Sequence, residues 1–172
     1  MGILIYAEVE KGKLKKNCFE LASYASILAD SLGFEVHAVC FNADDAEELS
    51  NYGVKKIYHY KNKNYFDFDV TIYSEYISKI FNDKFRFLIL SSSSNSRYLG
   101  GILSVKLNAS YISNVISKVK SNSTIKVVRN SFTNKAFEIV EAFEKNIILS
   151  IAKNSFEIVK KSVTSEIKEI NF

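Results

Sequence analysis

Apolar positions along the chain keep two rhythms in turn. Residues 3–9 (ILIYAEV) form a continuous apolar run with β-branched side chains, the mark of a strand covered on both faces. EKGK at 10–13 breaks the run, and Gly12 supplies turn freedom. From Cys18 the period lengthens. Leu21, Ala22, Ala25, Leu28, Ala29 and Leu32 continue a single helical face. Asn17 followed by Glu20 reads as a variant capping box, and Gly33 stands where a left-handed C-cap belongs. Residues 35–41 (EVHAVCF) and 56–60 predict the second and third strands, with a short helix over 43–52 between them. Asp67 or Asp69 is placed to cap a third helix whose apolar face is Val70, Tyr73, Ile77, Ile80 and Phe81. Residues 85–90 predict a fourth strand and 97–107 a fourth helix. Gly100 and Gly101 weaken that helix while letting its backbone approach a sheet.

After Asn108 the helical period disappears. Residues 111–119, 125–129, 136–143 and 147–151 are all strand-like, and NSFTNK at 130–135 reads as a hairpin connection. Alternating strands and helices, joined by right-handed crossovers, imply an α/β fold. The expected architecture is a mainly parallel, Rossmann-like sheet of order 3-2-1-4-5. Helices cover both of its faces, and the last third is β-rich.

Composition narrows the function classes. The 172 residues suit one domain that buries about two thirds of its unfolded surface, so no disulfide or metal is needed to hold a core. Cys18 and Cys40 fall in apolar patterns and read as buried free thiols, which fits a reducing cytoplasm. GILIYAEVE becomes charged too early for a signal peptide, and no apolar run approaches the ~20 residues that span a bilayer. The net charge is only +4, carried by lysines and by three arginines, Arg86, Arg97 and Arg129. KVKSNSTIKVVR at 118–129 is the nearest approach to a nucleic-acid patch. It lacks interleaved aromatic residues and reads as a solvated hairpin edge. Neither nucleic acid nor membrane is an expected partner.

Catalytic motifs are missing. GxSxG, CxxC, HExxH, the P-loop and GxGxxG are all absent. His37 and His59 alternate within strands and read as sheet-face or edge residues, and no transition-metal site is expected. The stretch with chemical potential is SSSSNSR at 91–97, directly after the fourth strand. In the expected order, the loops after strands 1 and 4 flank the crevice that ligands favour. Ser93, Ser94, Asn95 and Arg97 are therefore the candidate phosphate or nucleotide contacts, although Glu8 and Glu10 nearby would repel a pyrophosphate. The residues leave a second reading open, in which Ser94 or Asn95 simply caps the helix and the other serines solvate a turn.

The order of elements and several local strings resemble the N-terminal domain of the electron-transfer flavoprotein alpha subunit. ILIYAEVEKGKL resembles that family's opening, FEVHAV its second strand, and GVKKIYHY its Gly-(Val/Ile)-x-Lys-(Val/Ile) passage. VVRNSFTNKAFEIVEAF follows the family's Arg-x-x-(Tyr)-x-Gly-Asn-Ala pattern, with Arg129 and Asn134 aligned. Departures are Ser96 and Thr133 in place of glycine, Asn114 in place of Asp, and Ala152 in place of arginine. The resemblance implies a fold shared with adenine-nucleotide alpha-hydrolase-like proteins over residues 1–157. A tail over 158–172 would lead to where an FAD domain would begin. It also implies a non-catalytic scaffold that docks an electron-transfer flavoprotein beta-like subunit or a separate FAD-domain chain. FAD is then carried by the missing or partner domain and no cofactor is expected on this chain. The resemblance favours the polar-turn reading of the serine loop. The hairpin region 110–143, with no following helices to cover it, is the expected docking face for a partner or a second copy. The alternative is a small adenine-nucleotide-binding protein that uses the crevice beside the Ser91–Arg97 loop.

Overall fold

One sheet with a different apolar set on each face organises the chain. The computed structural model describes residues 1–62, 67–121 and 124–171. Strand β1 (Gly2–Tyr6) is wholly buried at the centre and runs parallel to β4 (Glu35–Phe41) on one side and β6 (Phe85–Ser91) on the other. β5 (Val54–Lys61) lies parallel beyond β4. Between β1 and β4 the chain forms a small hairpin, β2 (Val9–Glu10) with β3 (Lys13–Leu14), and then α1 (Asn17–Leu32). Side chains alternate along the central strands. Ile3, Ile5, Ala38, Cys40 and Phe87 pack with α1 and the 3-10 helix Ala46–Asn51. Leu4, Tyr6, Val39, Leu88 and Leu90 pack with α2 (Val70–Ile80) and α3 (Ser94–Lys106) on the opposite face. Period-2 burial on both faces is what makes these strands read as unbroken apolar runs.

The expected order 3-2-1-4 is present, but the fifth place is not taken by the next strand in the chain. β7 (Ala109–Val115) stands one position further out. The later strand β11 (Asn146–Ile151) fills the gap, parallel to both β6 and β7. Ile147, Ile148 and Leu149 are fully buried, whereas β7 is mostly half-buried. The more uniformly apolar strand therefore takes the central position. Outside β7 come β9 (Ile125–Ser131) and β10 (Ala136–Ala142), an antiparallel hairpin, with β8 (Lys120–Ser121) pairing β9. In the lysine-bearing stretch 118–129, residues 122 and 123 lie outside the described residues. At the far edge, β12 (Glu166–Asn171) runs parallel to β5, so the segment expected as a tail over 158–172 carries a strand; residue 172 lies outside the described residues.

The local signals are corrected in three places. Asn17 and Glu20 do not form a capping box: Lys16 is the N-cap, with no side-chain cap hydrogen bond, and Glu20 is used elsewhere. The helix expected over 43–52 is only the six-residue 3-10 turn. The helix expected over 97–107 begins three residues earlier, because Ser93 caps it and accepts from the Ser96 amide at 3.1 Å. Other signals hold. Gly33 closes α1 at φ 66°, and Asp69 caps α2 by accepting from the amides of Thr71 and Ile72. Both cysteines are buried free thiols. The hairpin turn at 132–134 has three successive positive φ values, 48°, 53° and 61°, with Thr133 where the resembled family has glycine. No helix among the described residues is long and apolar enough to cross a membrane.

Candidate functional site

The crevice lies where the chain leaves β1 in one direction and β6 in the other. As β1 ends, the Ala7 amide donates to the Val39 carbonyl at 2.9 Å, which carries the next side chain, Glu8, into the gap above β6. The Lys15 amide (2.9 Å) and the Cys18 thiol (3.3 Å) both donate to the Glu8 carbonyl and fix its backbone. Glu8 is only 2% exposed. β6 stops at Ser91, and its last hydroxyl together with those of Ser93 (2.7 Å) and Ser96 (2.7 Å) donates to one oxygen, Glu8 Oε1. Lys15 Nζ approaches the other oxygen, Oε2, at 3.4 Å.

Burial by itself would raise the Glu8 pKa. The hydroxyls of Ser91, Ser96 and Ser93, with the Lys15 charge, outweigh it and hold the carboxyl below its ordinary range. A buried carboxylate saturated with donors stays ionised and stays in place.

Of the residues expected to contact phosphate, only Ser93 joins this cluster. It serves at once as helix cap and as Glu8 donor. Ser94 and Arg97 are exposed, and Asn95 lines a cavity that Glu8 also lines. Among the described residues, no hydrogen bond joins the side chains of Ser94, Asn95 or Arg97 to Glu8. The alternative turn reading is corrected as well: Ser93 rather than Ser94 or Asn95 is the cap, and Ser91, Ser93 and Ser96 point at a buried anion instead of water. Reading the sequence missed Glu8 as the organiser and Ser91 and Ser96 as its donors. The available signal was a glutamate just past a wholly apolar strand, where burial demands partners.

Two cavities flank Glu8. One of about 600 Å³, on the α1 side, is lined by Lys13, Lys15, Asn17, Ser92 and Lys153. The other, about 310 Å³ and on the α2 side, is lined by Tyr6, Phe41, Asp44, Tyr73 and Asn95. A flavin dinucleotide or adenine nucleotide would need oxyanion donors between them. The hydroxyls of Ser91, Ser93 and Ser96 already serve the Glu8 carboxylate, while Ser92 and the lysines Lys13, Lys15 and Lys153 line the larger cavity.

His59, His37 and Cys18 have pKa values displaced by burial. His59 is buried, and its Nε2 accepts the Ala43 amide at 3.1 Å, so that nitrogen carries no proton. Burial, followed by the Lys61 charge, pushes the His59 pKa down, and burial does the same to His37. Burial pushes the Cys18 thiol up to about 12, so it is not a nucleophile near neutral pH. Among the described residues, no three His, Cys, Asp or Glu side chains come together as metal ligands.

The family model for the electron transfer flavoprotein domain matches residues 3–172. Over 86 residues the chain is 36% identical to the electron transfer flavoprotein subunit alpha of Megasphaera elsdenii. That alignment covers 48% of this chain and 25% of the length of that relative. A family match over nearly every residue, on a mostly parallel α/β sheet, leads to one conclusion: the chain belongs to the electron transfer flavoprotein domain family and is like the N-terminal domain of its alpha subunits.

Proposed function

We propose that this chain is a non-catalytic, alpha-subunit-like scaffold of an electron-transfer flavoprotein, docking a beta-like subunit or a separate FAD-domain chain. The observation that carries this reading is the outer face of the β9–β10 hairpin. Phe137 and Ile139 of β10 stand at alternate positions, and Phe143, beyond Glu141, follows; the three are 75%, 76% and 76% exposed. Val128 on β9 pairs opposite Ile139. The other face of the same hairpin, through Ile125, Val127 and Ala142, is already buried in the core. One edge element thus has an inner face buried at its base and an outer face that leaves three large apolar side chains exposed beside the Glu141–Lys126 pair, as a partner surface with a polar rim requires. In this reading FAD is held by the partner or by a further domain, and this chain supplies the surface that fixes its position. An adenine-nucleotide-binding function is supported less well, because it needs the oxyanion donors that Glu8 engages.

Co-expression with an electron-transfer flavoprotein beta-type subunit tests the reading. The pair should co-purify, and Phe137→Asp combined with Ile139→Asp should abolish co-purification. Because both side chains are exposed, the thermal midpoint should move by less than about 4 °C. A chain that stays monomeric beside every beta-type or FAD-domain partner offered to it refutes the proposal.

A further inference from the structure

We infer that the loop opening α3 is an oxyanion seat whose permanent occupant is the chain's own Glu8 carboxylate, and that this internal anion keeps phosphorylated ligands out of the crevice. The seat has the parts of a phosphate site. Three hydroxyls, from Ser91, Ser93 and Ser96, converge on a single oxygen at the N-terminal end of a thirteen-residue helix. A lysine ammonium stands 3.4 Å from the second oxygen. What fills the seat is a side chain delivered from the other wall of the crevice, 2% exposed and held ionised by its donors. A phosphate reaching this seat meets three hydroxyls already engaged, and behind them a fixed negative charge. The same carboxylate ties the loop after β1 to the loop after β6. This inference does not depend on the docking surface.

Anion-dependent thermal unfolding tests it. The wild type, Glu8→Ala and Glu8→Gln are melted in inorganic phosphate, in acetate, and in chloride at matched ionic strength. Phosphate, a kosmotrope, should raise the wild-type midpoint modestly over chloride, and the wild-type shift in each salt is the baseline against which each variant is read. Glu8→Ala should melt lower than the wild type in chloride and recover by about 5 °C in phosphate and in acetate, as either anion takes the vacated seat. Glu8→Gln, whose amide still fills the space, should be destabilised and show no preference among the salts beyond that baseline. If Glu8→Ala does not fold in chloride, its recovery by phosphate or acetate is the expected result, and its failure to recover in either overturns the inference. The inference is also overturned if phosphate stabilises the wild type as much as Glu8→Ala, or if Glu8→Gln responds as strongly as Glu8→Ala. These readouts use this chain alone, so their failure is distinct from any failure of partner docking.

Discussion

Replacing Glu20 by alanine should loosen the entire segment that leads from β11 to the far edge of the sheet. Glu20 lies in the first turn of α1, almost fully buried, and its carboxylate accepts three consecutive amides: Asn154 at 3.1 Å, Ser155 at 2.8 Å and Phe156 at 3.0 Å. Those bonds turn the chain so that Phe156 packs edge-on against Tyr24, with ring centroids 4.6 Å apart. From there the segment crosses α1, where the Val159 amide donates to Ser23 Oγ at 3.0 Å. The Lys161 and Val163 amides then reach the carbonyls of Asn51 and Ser50 before β12 pairs with β5. A hydrogen bond to a charged acceptor contributes roughly 1.5–3 kcal/mol. Asn154 is exposed and its two neighbours half-buried, so water recovers much of the sum, leaving a loss of about 3 kcal/mol. For a chain of this length that corresponds to a fall of roughly 6–12 °C in the thermal midpoint. Glu20→Gln retains one acceptor oxygen with two lone pairs and should lose about half as much. Urea denaturation would give the free energy, and limited proteolysis would show whether cleavage concentrates within 153–165. A Glu20→Ala protein within about 1 kcal/mol of wild type, with unchanged proteolysis, would refute the reasoning.

Two further outcomes follow from particular contacts. Gly100→Ala and Gly101→Ala should act in opposite directions although they are neighbours in one helix. A Cβ at Gly100 would sit 2.5–2.9 Å from atoms of the Tyr111 ring, while one at Gly101 meets nothing within 4 Å. Calorimetry should show the first variant destabilised by about 1–3 kcal/mol and the second stabilised by up to about 1 kcal/mol; two shifts of the same sign contradict this packing. Stability should also fall as the pH drops below the unfolded histidine range near 6.5. His59 and His37 have folded pKa values pushed down by burial, so the unfolded chain takes up protons that the native chain resists. The stability these groups contribute is complete above about pH 6.5 and is lost towards the lower folded pKa values, at up to about 1.4 kcal/mol per pH unit for each histidine. Urea midpoints at about pH 7.5 and 5.5 check this, and equal midpoints would contradict it.

Where the physics is local, the sequence by itself determined the outcome. The unbroken apolar runs of β1, β4 and β6 and the 3.6-residue stripe of α1 were readable because period and burial are set by neighbours a few residues away. The Gly33 and Asp69 caps were legible for the same reason. Gly100 and Gly101 were both read as close-approach positions, but only Gly100 is one, against the Tyr111 ring, and Gly101 meets nothing within 4 Å. The placement of β11 between β6 and β7 was decided by the tertiary structure, since strand order rests on competition for the driest position among segments far apart in the chain. Periodicity also gave no warning of β12, a strand with mostly exposed side chains, held by backbone pairing and by pairs such as Lys56 with Glu166 at 2.6 Å. The same limit explains the candidate site. The serine run announced a polar loop of interest, yet Ser91, Ser93 and Ser96 lie more than eighty residues from Glu8, and Glu20 lies more than 130 from the amides it holds. A buried carboxylate must find donors, but the fold alone decides which ones, because only packing brings those segments within hydrogen-bonding distance.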